Sequence, residues 1–317
     1  MRALITGGTG YVGGAVAAEL AASGFHVTIL GQREKAEVQP AVEATRLYAD
    51  IRDRNVVNRV LTEGRYDTIV HLAGLARTRE SFNEPLDYYE TNIGGTINLL
   101  RAIESLPAEL PAPSIIYGSS TLVYGSRYVG AVSETAAPEP ESPYAETKHT
   151  IERLLIASAN AGKLAGTILR IFNVAGGVNG VCDVDPTRII PTLMRAAAEG
   201  TPVTLVGNGV AVRDFVHPAD VATAVHAAIK AARPGACPIY NVGSGVGTRI
   251  IDALHCLEEF AGVEIKIEHT PQEGLPPSLI ADITAAGRDL GWQPTRSDIT
   301  TIISDAWPCW PTRAEKS

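Results

Sequence analysis

The sequence predicts an α/β fold with a doubly wound parallel sheet and a smaller C-terminal α/β lobe that binds substrate. Three observations support this prediction. Short apolar strand-like segments alternate with helically periodic stretches as far as Phe172, as in parallel strands joined by helical crossovers. A glycine-rich turn directly follows the first of these strands. The alternation then changes, so we expect a first domain at 1–172 and a second at 173–317, with some later segments returning to the first.

The first domain contains six segments with the composition of strands. They are Ala3–Thr6, His26–Leu30, Thr45–Tyr48, Asp67–Leu72, Ser114–Ser119 and Gly166–Phe172. Helical periodicity occupies the stretches Tyr11–Ser23, Asp53–Thr62, Tyr88–Ser105 and Tyr144–Ala161. Because open parallel sheets bind ligands at the carboxyl ends of their strands, we expect functional side chains there.

The second domain begins with a loop rich in Gly, Asn and Asp at 173–185. A strand is predicted at Val203–Val206, and helices at Thr187–Glu199, Ala219–Ala232, Arg249–Ala261 and Ser297–Ala306. The run "TPQEGLPP" at 270–277 predicts a loop. The final segment "WPCWPTRAEKS" predicts a loosely held tail.

Composition and charge exclude several classes of protein. Of 317 residues, 45% are hydrophobic and 20% are charged, as in an ordinary globular protein. The formal net charge of −8 argues against a general binder of nucleic acid or of anionic membranes. No apolar run approaches the roughly 18 residues that span a bilayer, and a strand rather than a signal sequence begins at the second residue. We therefore expect a cytoplasmic protein with no nucleic-acid or membrane partner.

The cysteine and histidine spacings give no indication of a metal site. Cys182, Cys237, Cys256 and Cys309 are far apart in the sequence, and the seven histidines are scattered. We expect free thiols and no bound metal.

Five glycines fall within the eleven residues "LITGGTGYVGG", Leu4–Gly14. Gly7, Gly10 and Gly13 are spaced G-x-x-G-x-x-G between a predicted strand and a predicted helix. Because fixing glycine costs conformational entropy, the cluster indicates a tight turn with a function. In a Rossmann fold, such a turn lets the pyrophosphate of a dinucleotide approach the amides and the positive dipole end of the helix.

A second informative stretch, "SPYAETKHTIE", begins a predicted helix at Ser142. Tyr144 and Lys148 are four residues apart, so they lie on one helix face, one turn from each other. A neighbouring ammonium favours the phenolate of a tyrosine, which is otherwise a poor base at neutral pH. By itself the spacing is also compatible with a surface pair. Upstream, Ser119–Thr121 places three hydroxyl groups at the end of a predicted buried strand, where they can contact a substrate.

In their order along the chain, "TGGTGYVGG", "HLAGL", "SSTLVYG" and "YAETK" resemble the extended short-chain dehydrogenase/reductase family. Within it, "LRIFNVAGG" and "VRDFVHPADVA" are similar to segments of the NAD-dependent epimerase/dehydratase group, in particular of its UDP-galactose (UDP-glucose) 4-epimerase branch. The resemblance covers most of the chain. It implies a Rossmann domain, a nicotinamide cofactor and a nucleotide-diphosphate sugar substrate.

The resemblance also implies roles for individual residues. The family's catalytic residues correspond to Ser120, Tyr144 and Lys148. Its cofactor-binding positions correspond to Gly7, Gly10, Tyr11, Val12, Gly13, Asp50, Ile51, Leu72, Ala73 and Asn92, together with Tyr144 and Lys148. Its substrate-binding positions correspond to Ser120, Thr121, Asn173 and Arg213. Relatives also pair through two helices, so a homodimer through Tyr88–Ser105 and Tyr144–Ala161 is expected.

Three departures from the family pattern affect these expectations. Relatives that use NAD carry an acid after the second strand, whereas this chain has Gly31 there and Arg33 two residues later. An arginine in place of the acid accommodates a 2′-phosphate, so the cofactor is NAD or NADP. The family's dehydratases have an acidic pair after the catalytic hydroxyl, where this chain has Thr121 and Leu122.

The third departure concerns the nucleotide. Where relatives have an arginine and an aspartate that bind diphosphate and ribose, this chain has Gln272 and Leu275. Arg188 or an altered nucleotide contact is expected to compensate.

The main functional hypothesis is a nucleotide-sugar 4-epimerase that oxidises its substrate transiently to a 4-keto intermediate with a bound cofactor. The alternative is an NADPH-dependent nucleotide-sugar 4-ketoreductase with the same catalytic residues. A third hypothesis is a non-catalytic dinucleotide-sensing protein, since a fold alone does not establish an activity. Retention of both Tyr144 and Lys148 favours an enzyme.

Overall fold

The computed structural model describes residues 1–32, 42–107, 109–271 and 278–311. Three residues that the sequence singled out lie outside the described residues, namely Arg33, Gln272 and Leu275.

A parallel sheet of seven strands organises the described chain. Its strands are β1 Arg2–Thr6, β2 His26–Gly31, β3 Thr45–Tyr48, β4 Thr68–His71, β5 Ser114–Ser120, β7 Gly166–Ile171 and β13 Ile239–Val242. Their spatial order is β13-β7-β5-β4-β1-β2-β3, and every neighbouring pair is parallel. The order reverses between β1 and β4, which places the ligand crevice of a doubly wound fold at their carboxyl ends. The predicted fold class is confirmed.

Helices cover both faces of this sheet. In chain order they are α1 Tyr11–Ala22, α2 Arg54–Gly64, α3 Thr78–Asn83, α4 Pro85–Tyr88, α5 Gly95–Glu104, α6 Pro143–Asn160, α7 Ile189–Glu199, α8 Pro218–Ala231, α9 Ile250–Ala261, α10 Thr284–Leu290 and α11 Ile299–Ala306. On one face α1 and α8 pack together over a core that includes Val16 and Val225. On the other face, α2, α5 and α6 surround a second core that includes Leu99 and Leu155.

The remaining strands are shorter and belong mainly to the C-terminal lobe. They are β6 Val129–Val132, β8 Asn173–Val174, β9 Gly177–Val178, β10 Val181–Cys182, β11 Val203–Val206, β12 Val212–Val216, β14 Gly247–Arg249, β15 Ile267–Thr270 and β16 Ser278–Ala281. A small sheet has the order β14-β12-β16-β6, with β8 also paired to β12. A third core between α7, α9 and α11 stabilises this lobe.

Strands cross the predicted boundary at residue 172 in both directions. β13 completes the main sheet beside β7, and β6 pairs with β16 in the small sheet. The division into domains 1–172 and 173–317 therefore stays a prediction, because each segment contributes a strand to the sheet of the other. The two sheets are linked by chain that passes between them more than once.

The predicted helix Tyr88–Ser105 is not continuous. A π-helix occupies Tyr89–Gly94 between α4 and α5. Within it, Asn92 directs its side chain away from the helix toward Leu75 and Thr147. Inserted π turns of this kind are frequent at functional sites.

The expectation that all four cysteines are free was wrong for two of them. Cys182 in β10 and Cys309 form a disulfide with a Cα–Cα distance of 6.2 Å, while Cys237 and Cys256 are free. The partners are separated by 127 residues, so their spacing carried no signal. The bond also corrects the expected loose tail as far as Cys309, because it fixes the 3₁₀ turn Trp307–Cys309 against β10.

The described residues contain neither a membrane-spanning helix nor a cluster of metal ligands. Within those ranges, none of the helices is long and apolar enough to cross a membrane. The same part of the chain has no group of three or more His, Cys, Asp or Glu side chains placed to hold a metal ion.

Candidate active site

The turn between β1 and α1 is built from backbone in close contact. Gly7 has φ +75, and a Cβ there would lie 2.7 Å from the amide nitrogen of Ala73, two residues after β4. A Cβ on Gly13 would overlap the carbonyl oxygen of Gly7 and lie 2.7 Å from the Cα of Gly8. Two of the three motif glycines are therefore required by packing between the turn, the helix and the neighbouring strand.

The N-terminus of α1 fits a pyrophosphate. Gly10 is the N-cap residue, and no side chain caps the first-turn amides. Exposed amides at the positive end of a helix bind phosphate groups. Val12 lines the cavity beyond this turn. The hydroxyl of Tyr11 instead donates to the carbonyl of Gly176 at 2.9 Å, and burial raises the pKa of Tyr11 well above its usual value.

The predicted adenine side lies at the ends of β2 and β3. Asp50 accepts two hydrogen bonds from the Arg52 guanidinium, at 2.6 and 2.9 Å to Oδ2, and these lower the pKa of Asp50. Ile51 is buried against Gly95. At Gly31, a Cβ would lie 2.6 Å from the Thr9 hydroxyl oxygen. Thr9 therefore occupies the space that a side chain at position 31 would need.

Asn92 connects the loop after β4 to the catalytic helix. Its Oδ1 accepts from the amide of Leu75 at 2.8 Å, and its Nδ2 donates to the carbonyl of Leu75 and to the Thr147 hydroxyl. Thr147 lies between Tyr144 and Lys148 on α6. Asn92 therefore holds the start of α6 against the cofactor-side loop.

Ser120, Tyr144 and Lys148 meet in one cavity. Ser120 ends β5, and the other two occupy successive turns of α6, which Ser142 caps through the amide of Ala145. None of the three catalytic candidates is more than 8% exposed. The sheet and the helix together position a hydroxyl, a phenol and an ammonium at buried positions in one cavity.

Burial dominates the electrostatics of these groups. It raises the pKa of Tyr144, while the Ser120 hydroxyl and the positive charge of Arg188 lower it. It lowers the pKa of Lys148 to about 8, against the opposing charge of Glu152. The Lys148 ammonium donates to the Gly118 carbonyl at 2.7 Å and lies 5.8 Å from the Tyr144 ring centroid. The phenolate form thus depends on charges brought close to Tyr144.

The structure adds two residues that sequence reasoning missed. Glu152 follows Lys148 by one turn on α6 and forms a buried ion pair with Arg170 of β7. Ser119 donates to the same carboxylate at 2.6 Å. The spacing of Tyr144, Lys148 and Glu152 at intervals of four was visible in the sequence. The pairing of Glu152 with Arg170, which lies on β7, was not visible in the sequence.

The cavity has a volume of about 470 Å³. It brings together several predicted residues: Val12, Leu72, Ser120, Thr121, Tyr144, Lys148, Asn173, Arg188 and Arg213. The other predicted cofactor positions do not line it, namely Gly7, Gly10, Tyr11, Gly13, Asp50, Ile51, Ala73 and Asn92. A neighbouring cavity of about 310 Å³ shares Thr121, Leu122, Asn173 and Arg213.

The far wall of the cavity is formed by the C-terminal lobe. Asn173 donates to the carbonyl of Asp214 at 3.1 Å, which fixes its amide beside β12. The pKa of Arg213 is lowered by burial. Asp214 accepts from the amides of Ser244, Gly245 and Ala281 and thereby holds the loop and strand around Arg213.

The sequence model of the NAD dependent epimerase/dehydratase family matches residues 3–243. This match spans the sheet, the glycine turn and the cavity described above. The chain belongs to that family. Its expected membership of the extended short-chain dehydrogenase/reductases is confirmed.

Relatives within the family are similar along nearly the whole chain. A UDP-glucose 4-epimerase of Corynebacterium glutamicum is 33% identical, over 97% of this chain and 95% of the relative. The crystal structure of UDP-glucose 4-epimerase from Stenotrophomonas maltophila, with bound NAD and formylated UDP-arabinopyranose, is 29% identical with a TM-score of 0.89 and covers 98% of both chains. MoeE5, solved with UDP-glucuronic acid and NAD, is 27% identical with a TM-score of 0.83, over 97% of this chain and 98% of that one.

Proposed function

We propose that the protein is a nucleotide-sugar 4-epimerase that uses a bound nicotinamide cofactor. The observation that carries this proposal is the meeting of Ser120, Tyr144 and Lys148 in one cavity that also contains Asn173 and Arg213. Family membership and the similarity to UDP-glucose 4-epimerases support it. Tyr144 and Ser120 supply the acid–base group and the hydroxyl for oxidation on one side of the cavity. Arg213 supplies a cation for the diphosphate on the other side.

Tyr144 is the residue that moves the proton. As phenolate it accepts the proton of the C4 hydroxyl, and as phenol it returns a proton to the C4 oxygen. Its buried position resists the charged form, so the cations around it must stabilise the phenolate. A nicotinamide cofactor bound here would supply the hydride acceptor and donor for C4.

Ser120 and Lys148 assist Tyr144 in different ways. The Ser120 hydroxyl faces the phenol and is placed to hold the C4 oxygen through a hydrogen bond. Lys148 keeps a positive charge on the same helix face, anchored to the Gly118 carbonyl. All three groups are buried, and the lower local dielectric strengthens each of these interactions.

The nucleotide is held on the opposite wall. Arg213 supplies charge for the diphosphate, and Asn173 supplies an amide at the same wall. The N-terminus of α7 borders this cavity, and no side chain caps it. A helix end of this kind stabilises an anion.

We propose NAD as the cofactor in preference to NADP. The carboxylate of Asp50 interacts with Gln32, the residue directly after Gly31. A carboxylate near the adenosine ribose disfavours a 2′-phosphate through like-charge repulsion. Structural relatives contain NAD, including those from Stenotrophomonas maltophila and Brucella ovis.

A homodimer remains part of the proposal. The expected interface includes α5, α6 and the π-helix before α5. Two large apolar side chains on that surface are exposed, Tyr89 at 41% and Ile97 at 40%. An Ile97→Glu variant is expected to elute as a monomer in size-exclusion chromatography with light scattering. Dimeric elution of this variant would contradict the interface.

The deciding experiment combines cofactor retention with turnover. The purified protein is denatured and the released nucleotide is identified by mass spectrometry. The native protein is then incubated with UDP-glucose without added cofactor. The proposal expects nearly one NAD per chain and formation of the C4 epimer.

Other outcomes would favour the alternatives. An empty protein that oxidises added NADPH stoichiometrically with a 4-keto sugar nucleotide would favour the ketoreductase. Tyr144→Phe is the matched control, because it removes one oxygen atom from a buried side chain. Loss of the phenol is expected to lower kcat about 10²- to 10⁴-fold while leaving NAD retained. Unchanged function in this variant would remove the enzyme hypothesis and leave the dinucleotide sensor.

A further inference from the structure

We propose that Arg188 binds a carboxylate on the sugar, and that the preferred substrate is a nucleotide-linked uronic acid. This inference rests on the proposed 4-epimerase function and specifies the substrate of the same site. Arg188 is the residue directly before α7 and lines the cavity that contains Ser120 and Tyr144. Its side chain is 43% exposed.

Asp183 forms an ion pair with the guanidinium of Arg188 and thereby orients it. Its carboxylate is 10% exposed and lies 2.9 Å from Nη1 of Arg188. Among the described residues, the hydrogen bonds of the Arg188 side chain involve only this nitrogen. The edge formed by Nε and Nη2 is therefore presented without a protein acceptor, and guanidinium groups bind carboxylates through two such parallel donors.

The lining of the cavity is cationic, although Asp183, which lies outside the lining, offsets the charge of Arg188. Three cationic side chains line it, Lys148, Arg188 and Arg213, and none of its described lining residues is acidic. The proposed function uses Lys148 beside Tyr144 and Arg213 for the diphosphate. Arg188 is left with no assigned anion on the substrate, and a hexose with only hydroxyl groups does not supply one.

The position of Arg188 matches the place where a uronic acid carries its charge. The guanidinium is close enough to Tyr144 for its charge to lower the pKa of the phenol. Tyr144 contacts the oxygen on C4, and the carboxylate carbon of a uronic acid is bonded to C5, the next ring atom. Because Arg188 and Tyr144 line the same cavity, a carboxylate one carbon from the reacting centre lies in the space that both side chains border.

A second group in the same cavity lacks a partner. The Thr121 hydroxyl oxygen is buried and has no hydrogen-bond partner within the described part of the chain, although the side chain lines the cavity beside Ser120. A buried hydroxyl without a partner is costly. A substrate oxygen is the natural acceptor, and a carboxylate held by Arg188 presents two oxygens to the cavity.

The competing role for Arg188 is contact with the diphosphate, in place of the arginine that relatives have near Gln272. The two roles predict different effects on the binding of ligands with and without the sugar carboxylate. A diphosphate contact acts on UDP, UDP-glucose and UDP-glucuronic acid alike. A carboxylate contact acts on UDP-glucuronic acid alone.

Isothermal titration calorimetry separates these roles. The Tyr144→Phe protein, which retains the cavity but lacks the phenol, is titrated with UDP, UDP-glucose and UDP-glucuronic acid. It is compared with a Tyr144→Phe/Arg188→Gln protein. We expect Arg188→Gln to weaken UDP-glucuronic acid about 10- to 100-fold, as for a lost charge-assisted pair, and to change UDP and UDP-glucose less than threefold. Equal weakening of all three ligands would overturn the inference.

Turnover by the protein with Tyr144 intact gives the second measurement. We expect kcat/KM for UDP-glucuronic acid to exceed that for UDP-glucose by at least about 10-fold, with Arg188→Gln removing the preference. Efficient epimerisation of UDP-glucose alone would overturn the uronic-acid inference and leave the proposed function standing. A third outcome is that the protein epimerises neither UDP-glucose nor UDP-glucuronic acid but still binds UDP-glucuronic acid preferentially in calorimetry. That outcome would overturn the proposed function, while the contact between Arg188 and the carboxylate would stand.

Two further variants test whether a loss of binding in Arg188→Gln reflects a folding defect. Arg188→Gln leaves the buried Asp183 carboxylate unpaired, so Asp183→Asn/Arg188→Gln is measured beside it and is expected to show the same loss for UDP-glucuronic acid. Arg77→Gln is the matched control, because Arg77 is 62% exposed and pairs with Asp185 in the same loop without lining the cavity. It is expected to bind all three ligands as the Tyr144→Phe parent does.

Discussion

Glu152 and Arg170 form a two-point ion pair inside the protein, with Oε1 3.0 Å from Nε and Oε2 2.7 Å from Nη2. Their side chains are 1% and 2% exposed. Burial raises the pKa of Glu152, but hydrogen bonds, those from Arg170 among them, hold it below its usual value. The charged carboxylate in turn raises the pKa of Lys148, one helical turn away. A pair that links α6 to β7 therefore also favours the charge of a catalytic group.

Replacing Glu152 by glutamine tests both roles. The variant keeps the volume but leaves the Arg170 guanidinium buried without its counter-charge, which destabilises proteins by about 3–5 kcal/mol. The pKa of Lys148 is expected to fall further below about 8, so activity is lost at a lower pH on the alkaline side. Urea denaturation and the pH profile of kcat/KM measure the two effects.

Ser119→Ala is the matched control for that experiment. It removes one hydrogen bond to the carboxylate while leaving the Glu152 charge in place. A loss of about 1 kcal/mol of stability with an unchanged alkaline limit is expected. If Glu152→Gln also left the alkaline limit unchanged, Glu152 would be structural only.

The buried Lys148 makes stability depend on pH. Burial lowers its pKa from 10.5 to about 8, so between these values the unfolded chain binds a proton that the folded chain does not. Stability should therefore rise with pH in this window. Relative to Lys148→Met, the wild-type free energy of unfolding is expected to increase by about 3 kcal/mol between pH 7 and pH 10.5, as measured by urea denaturation at fixed ionic strength.

Tyr144→Phe controls for that measurement, because it keeps Lys148 and removes its neighbouring phenol. Its stability should increase with pH as in the wild type. A constant difference between wild type and Lys148→Met at every pH would show that the ammonium is not destabilised in the folded protein.

The main sheet was predictable because each strand carries its own local signal. β3 begins and ends at the predicted residues, and α1 ends one residue before the predicted Ser23. The short strands of the C-terminal lobe carry no such signal. β8, for example, has two residues and is defined by its pairing with β12 rather than by a periodic pattern.

The site was predictable in its local parts only. The spacing of Tyr144 and Lys148 on a helix follows from the sequence, as does the hydroxyl run that ends β5. Partners distant in sequence do not, and Glu152 meets Arg170 only because α6 packs against both β5 and β7. The substrate-facing position of Arg188 likewise depends on how the C-terminal lobe folds over the sheet.

The Cys182–Cys309 bond should stabilise the protein substantially. It closes a loop with a sequence separation of 127 residues, for which restriction of the unfolded chain contributes about 4–5 kcal/mol in the chain-entropy description. Cys309→Ser should therefore unfold at lower urea concentration than the wild type without reductant. With dithiothreitol the two proteins should coincide.

Cys256→Ser is the corresponding control, since Cys256 is a free thiol. It should leave the response to dithiothreitol unchanged. Thiol labelling of the denatured, unreduced wild type should modify two cysteines, and labelling of all four would show that the bond is not formed.

Gly13→Ala tests whether the glycine turn is limited by packing. The new Cβ would overlap the Gly7 carbonyl oxygen and lie 2.7 Å from the Cα of Gly8. Both contacts are backbone, so the turn must shift, at a cost of about 1–3 kcal/mol. The same shift disturbs the amides that face the pyrophosphate, and retained NAD should fall in parallel.

Gly94→Ala is the matched control, because a Cβ there meets nothing within 4 Å and its φ of −58 is helical. Alanine is the better helix former by about 1 kcal/mol, so this variant should be as stable as the wild type or more so, with NAD retained. Retention of NAD by a stable Gly13→Ala protein would mean that the turn tolerates a side chain and that its glycines have another cause.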